Sequence, residues 1–240
     1  MGKKVVLLLT GTVNPNNMAF TKLQDVESRK AQYIDAIRFW IKKVDLPIVF
    51  VENSGYDLSH VFEEEVASGR LQILSFQGNN YARHLGKGYG ELLILEHAYK
   101  NSAIVQQADF IFKVTGRHKI LNFSTFLNQY LKCPDTHLIV NFYRFLTNCD
   151  SRFFGFVPSF IPDYLIHYQD VVNDSKDIFF EGILACAALQ AISKGHNFRP
   201  LENLPRIKGS SGTFGFKYNS NYLSWLRHNT SYLLTQSIFK

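Results

Sequence analysis

Short unbroken apolar runs alternate with longer amphipathic stretches along the first half of the chain. Residues 5–10 form a continuous apolar run closed by Gly11-Thr12, the pattern of a buried first strand. After the polar turn at 14–17, Ile34, Ile37, Phe39 and Ile41 give residues 28–44 the apolar faces of a long helix. Residues 47–51 predict a second buried strand, broken by the turn chemistry of Glu52-Asn53-Ser54-Gly55-Tyr56-Asp57. Residues 62–67 predict a helix and 71–76 a third strand. Gly86-Lys87-Gly88-Tyr89-Gly90-Glu91 then predicts a glycine-rich turn opening a helix over 92–101. Residues 109–114 predict a strand that stops abruptly at Thr115-Gly116-Arg117-His118-Lys119. Strands alternating with helices in this way predict an α/β fold, a mostly parallel sheet flanked by helices.

Beyond Lys119 the rhythm changes. Residues 121–131 predict a helix, 137–143 and 152–157 strands, and 177–193 a strong helix, with Cys149-Asp150-Ser151 lying between the two strands. A proline-bounded segment fills 158–168. Residues 195–240 are polar, Gly/Ser-rich at 209–212 and aromatic again around 222–234. No internal repeat, low-complexity tract or interdomain linker interrupts the chain.

At 240 residues with 46% hydrophobic content, the chain suits one domain with a real core. No apolar run approaches the roughly 18 residues of a membrane span, and the opening Met1-Gly2-Lys3-Lys4 is followed by no small-residue cleavage site. Three cysteines without metal-like spacing read as reduced thiols of a cytoplasmic protein, and scattered histidines argue against a zinc site. His84, His97 and His118 read as surface or packing residues. The 26 Lys+Arg against 20 Asp+Glu suit anionic partners: nucleotide diphosphates, anionic headgroups or nucleic acid. Basic residues run all along the chain instead of clustering with aromatics, so nucleic acid is not the expected partner. Oligomeric state is open at this level.

The candidate chemistry centres on 86–122. Free N–H groups at a helix start favour anions, and open α/β sheets bind ligands at the carboxyl ends of their strands. Lys87 and Gly88 on the glycine turn, and Lys113, Thr115, Gly116, Arg117 and Lys119 at the strand end, are therefore candidate diphosphate contacts. The turn lacks the Gly-Lys-Ser/Thr ending of a P-loop and lies too far along for a first-turn dinucleotide fingerprint.

Three blocks in order, 47–57, 86–98 and 109–113, resemble the nucleotide-sugar glycosyltransferases of the GT-A fold, and the similarity covers about the first half, 5–122. The length and the Lys-x-Thr-Gly-Arg turn also resemble small bacterial lipopolysaccharide and capsule transferases. This resemblance implies a catalytic α/β domain over 1–194 with a C-terminal, acceptor-side extension over 195–240 packed on it. It implies nucleoside contacts from Thr10, Gly11, Glu52 and Asn53. Most of that fold ends its central strand in Asp-x-Asp, which holds a divalent cation; here Thr115-Gly116-Arg117 stands instead. Carboxylates are what such a cation requires, so the expectation is a metal-independent enzyme without a cofactor, with Arg117 as the main diphosphate clamp. For the base that deprotonates an acceptor hydroxyl, the resemblance points first to Glu181, second to Asp177, and third to Asp150, which could also contact sugar. Arg152 is expected to meet phosphate or an anionic acceptor. The implied partners are a nucleotide sugar, a glycan or lipid-linked glycan acceptor, and an anionic membrane surface at the inner face of the cytoplasmic membrane. The rivals are a sugar nucleotidyltransferase, which wants a glycine/arginine-rich loop and carboxylates that Gly11-Thr12-Val13-Asn14 does not supply, and a non-catalytic nucleotide- or nucleic-acid-binding module.

Overall fold

Leu7, Leu8 and Leu9 are all fully buried, which requires a strand covered on both faces. That strand, β1 (Val5–Gly11), lies inside the main sheet of a computed structural model that describes residues 2–18, 21–212, 215–218 and 221–238. The chain continues through α1 (Val26–Lys43), β2 (Ile48–Glu52), α2 (Glu63–Ala67), β3 (Leu71–Ser75), α3 (Gly86–Asn101), α4 (Ala103–Gln106) and β4 (Phe110–Thr115). It then forms β5 (Lys119–Ile120), α5 (Phe123–Lys132), β6 (Leu138–Val140), β7 (Phe142–Tyr143), β8 (Asn148–Cys149) and β9 (Phe153–Phe156). Last come α6 (Phe180–Ser193), β10 (Phe198–Pro200), β11 (Ile207–Lys208) and α7 (Tyr222–Ile238).

The main sheet has seven strands in the order β10-β6-β9-β4-β1-β2-β3. Its pairings are parallel except those of β9, which runs antiparallel to both β4 and β6. From β1 the chain moves outward to β2 and β3, then returns to β4 on the other side of β1. That reversal opens a crevice beyond the carboxyl ends of β1 and β4. Because β9 is inverted, its amino end joins the same rim.

Alternation along the strands divides the core. Val6, Leu8, Val49, Val51 and Ile111 pack with α3 and α6, whereas Leu7, Leu9, Phe50, Phe112 and Val114 pack with α1 and α5. Helix α1 starts where the Asp25 carboxylate accepts from the Ser28 N–H at 2.7 Å and ends with Lys42 and Lys43 against its dipole.

The expected strands 5–10, 47–51, 71–76 and 109–114 and the helix over 28–44 are present within a residue or two. Three expectations change, and the segment expected as an extension gains detail. The glycines at 86–90 are the first turns of α3, not a loop before it. Gly86 alone stands in the left-handed region, at φ 77°, where the chain enters the helix, and a Cβ there would strike the Asp174 carboxylate. Helix α6 begins at Phe180; Asp177, left-handed at φ 58°, belongs to the turn before it. The strand expected over 137–143 splits, β6 staying in the main sheet and β7 forming a hairpin with β8. The segment from 195 onward adds β10 to the sheet's edge and β11 beside β5.

Candidate functional site

The rim of β1, β4 and β9 encloses a cavity of about 400 Å³. Backbone contacts set its floor. The Gly116 N–H donates to Thr10 O at 2.7 Å, and a Cβ at Gly116 would lie 2.7 Å from that same oxygen. Only glycine lets the turn after β4 lie this close to the end of β1. Across the other edge, the Thr115 N–H donates to Arg152 O at 3.0 Å. Thr10, Gly11, Thr115, Arg117 and Arg152 all line the cavity.

Arg117 is 7% exposed and forms no salt bridge among the described residues. Its Nη1 donates to Gln32 Oε1 at 3.1 Å and to Ser210 O at 3.5 Å, and its guanidinium lies 5.9 Å from the centre of the Tyr33 ring. Its buried Nε has no partner. Beside it is a second buried guanidinium, Arg29, also without an ion pair, whose Nε donates to Thr12 O at 2.9 Å and whose Nη1 donates to Leu23 O at 3.2 Å. Burial lowers the pKa of Arg29, Tyr33 opposes that shift, and Arg117 adds to it. Burying positive charge without a paired counter-charge is costly, and neither guanidinium forms an ion pair among the described residues.

The other expected cations are paired. Lys113, 1% exposed, stands 2.5 Å from Glu91 Oε1 and donates to Ser151 O at 2.7 Å. Its charge is therefore balanced by Glu91, and both residues line the cavity. Lys119 reaches Asp35 on α1 at 2.5 Å and does not line the cavity; on the short strand β5 its side chain turns away from the rim. Arg152 forms a fork with Asp150, Nε to Oδ1 at 2.8 Å and Nη2 to Oδ2 at 2.7 Å. Lys87 and Gly88 line the cavity, but the Lys87 N–H donates to Asp174 Oδ2 at 3.0 Å. The anion-attracting start of α3 thus already holds a carboxylate of the protein itself. Burial raises the Asp174 pKa and Lys87 opposes that rise.

The expected nucleoside contacts divide in the same way. Glu52 is fully buried: it accepts from the N–H of Val13 at 2.7 Å and from those of Ser54 and Tyr56 at 2.9 Å, as well as from the Ser54 hydroxyl. Asn53 accepts from Thr12 Oγ1 at 2.6 Å. Neither lines the cavity. Both tie the loop after β1 to the loop after β2, a positioning task that their place at a strand end did not reveal.

Glu181, in the first turn of α6, lines the cavity and accepts from Ser151 Oγ at 2.7 Å. It also lines an adjoining hollow of about 280 Å³ with Asn141, Tyr143, Asp150 and Arg152. Burial alone would raise the Asp150 pKa, but the hydrogen bonds and charge of Arg152 outweigh it and lower the pKa. Asp150 is thus committed to Arg152 and is a poor base. Asp177 is exposed and lies outside both hollows, because α6 starts three residues after it.

Several lining residues were not singled out from the sequence: Arg29, Tyr33, Asp174, Ser211 and Tyr218. His118, read as a packing residue, is 3% exposed against Tyr218; burial and then Arg117 lower its pKa to about 3. Among the described residues, no group of three or more His, Cys, Asp or Glu side chains is placed to hold a metal ion.

No family model and no curated protein sequence matches the chain. Solved structures with a similar fold include a protein described as a nucleotide-diphospho-sugar transferase from Desulfovibrio desulfuricans G20, at 8% identity and TM-score 0.48, covering 83% of this chain and 80% of that one. S. aureus TarS 1–349, determined with UDP, is similar at 11% identity and TM-score 0.47, over 85% of this chain and 59% of that one. The inositol-1-phosphate CTP transferase of T. maritima is similar at 11% identity and TM-score 0.45, over 84% of this chain and 86% of that one.

Proposed function

We propose that the chain is a glycosyltransferase that moves a sugar from a nucleotide-sugar donor to a glycan or glycolipid acceptor, with inversion and without a divalent metal. The lipopolysaccharide or capsule setting follows from the sequence resemblance alone. The observation that carries the reading is Arg117: a buried guanidinium with no carboxylate partner among the described residues and an open Nε, in a cavity at the sheet's reversal point.

In this reaction the acceptor oxygen bonds to the anomeric carbon while that carbon's bond to the diphosphate breaks. The electron pair leaves with the nucleoside diphosphate. Arg117, with the field of Arg29 behind it, stabilises the negative charge that grows on the leaving phosphate, where fixed donors in a dry site act most strongly. Glu181 takes the acceptor proton. It stands where the cavity and the adjoining hollow meet, so donor and acceptor can approach from its two sides.

The test is incubation with a panel of UDP-, GDP- and CDP-sugars. The expected result is slow release of nucleoside diphosphate from one of them, unchanged by chelator. Strict dependence on an added divalent cation would remove the role given to Arg117. Pyrophosphate release from a nucleoside triphosphate with a sugar phosphate would identify a nucleotidyltransferase instead.

A further inference from the structure

Basic residues run all along the chain, but their excess over acidic ones falls mostly at one end. From residue 203 to 240 there is no Asp or Glu, while Arg206, Lys208, Lys217, Arg227 and Lys240 are all basic; the whole chain has a formal net charge of only +6. Helix α7 occupies much of this acid-free segment and has two different faces. One is seated on the body by hydrogen bonds: Trp225 Nε1 donates to Leu204 O at 2.9 Å, the Leu204 N–H donates to Asn229 Oδ1 at 2.7 Å, and the Tyr232 hydroxyl donates to Leu201 O at 2.8 Å. These residues recur at helical spacing and fix which way the helix faces.

On the opposite flank, Leu223, Leu226, Leu233 and Leu234 are exposed, at 74%, 41%, 42% and 62%. Their spacing gathers them on one side of the helix, with exposed Arg227 among them. Lys208 and Lys217 are also exposed on the chain leading to α7. Four exposed leucines with Arg227 on the same helix, in a segment that carries no acid, form a surface that complements apolar chains and anionic headgroups together.

We propose that this flank of α7 seats the protein on an anionic lipid bilayer, leucines in the interface and Lys208, Lys217 and Arg227 against the headgroups. Among the described residues no helix is long and apolar enough to cross a membrane, and the proposed contact runs along the bilayer surface. Phe216 and Tyr218, which line the cavity, lie on the segment just before α7, so a seated helix holds the cavity mouth close to the bilayer.

Co-sedimentation of the full chain with vesicles tests this without any donor or acceptor, and so separately from the sugar-transfer reading. Vesicles of equal phosphatidylglycerol and phosphatidylcholine are expected to bind the protein at low salt, at least roughly tenfold more tightly than pure phosphatidylcholine. High salt should weaken that binding. Arg227→Glu, and separately the pair Leu226→Ser and Leu234→Ser, should each reduce it at least roughly tenfold, with unchanged far-ultraviolet circular dichroism. Equal binding to neutral and anionic vesicles, binding to neither, or full binding by the leucine variant would overturn the proposal. So would a concentration-dependent dimer, abolished by the leucine substitutions, in a protein that ignores vesicles. Because the wild-type salt and lipid dependence decides the question alone, a variant that fails to fold leaves the test intact.

Discussion

Lys113 Nζ and Glu91 Oε1 meet at 2.5 Å in the cavity lining, joining the middle of β4 to the second turn of α3. This pair gives the strand's own cation a counter-charge within the cavity lining. Arg117, at the turn beyond β4, is left as the buried cation with an unpartnered nitrogen. The remaining predictions follow from that division of charge.

Breaking the pair should weaken the fold more than the site. Lys113→Met or Glu91→Leu alone each leaves one charge poorly compensated, at a cost of about 3 kcal/mol, the low end for buried pairs because the Glu91 side chain is 20% exposed. Combining Lys113→Met with Glu91→Leu should recover most of it. Urea unfolding of the three variants measures this; full additivity of the single effects would mean the two side chains are not coupled.

Arg117 should behave in the opposite way. Arg117→Ala should weaken binding of the preferred nucleoside diphosphate by about 10- to 100-fold, the loss of a charged hydrogen bond worth about 1.5–3 kcal/mol. Arg117→Lys should restore only part, since a point charge does not reproduce the planar fork. Titration calorimetry gives the answer, and unchanged affinity in the alanine variant would show that another cation holds the diphosphate.

The proposed base can be separated from its neighbour in sequence. Glu181→Gln should lower transfer by about 10²- to 10⁴-fold while leaving donor affinity nearly intact. Asp177→Asn, altering an exposed turn outside both hollows, should change neither. Steady-state rates with varied donor distinguish these; equal losses in both variants would place the base elsewhere.

His118 makes stability depend on pH below neutrality. Its folded pKa is lowered from 6.5 to about 3, so the unfolded chain binds a proton in that range that the folded chain does not. Stability is complete above about pH 6.5 and is lost as pH falls toward 3, by up to roughly 1.4 kcal/mol per pH unit. His118→Gln should flatten this slope between pH 4 and 6.5 in urea-unfolding midpoints. The Asp150 contribution has the same sign but lies lower: its pKa is depressed, so the stability is present above about 3.9 and lost below that. An unchanged slope in the glutamine variant would mean that His118 is accessible to solvent protons.

Much of the architecture was legible because strands buried on both faces must be apolar throughout. Residues 5–10 and 47–51 announce β1 and β2 in that way, and the alternation of strand and helix implies the parallel half of the sheet. Helix entries were harder to read. Glycines at 86–90 suggested a loop, whereas their lack of side chains lets α3 start against Asp174 and Tyr81. The start of α6 was misplaced because Asp177 has the residue type of a helix cap without its geometry.

The sequence by itself determined the sheet's central strands, the basic turn at the end of β4 and the acid-free charge of residues 203–240, because these depend on residue type and local spacing. Tertiary structure alone decided which charges are spent and which remain available. Lys113 finds Glu91, Lys119 finds Asp35, and Glu52 is absorbed by the N–H groups of Val13, Ser54 and Tyr56. Arg117 meets Tyr33, Gln32 and Ser210 but no carboxylate. The physical reason is reach: whether an ionic side chain is neutralised depends on which elements the fold brings within a few ångströms, and those partners lie tens of residues away in the chain.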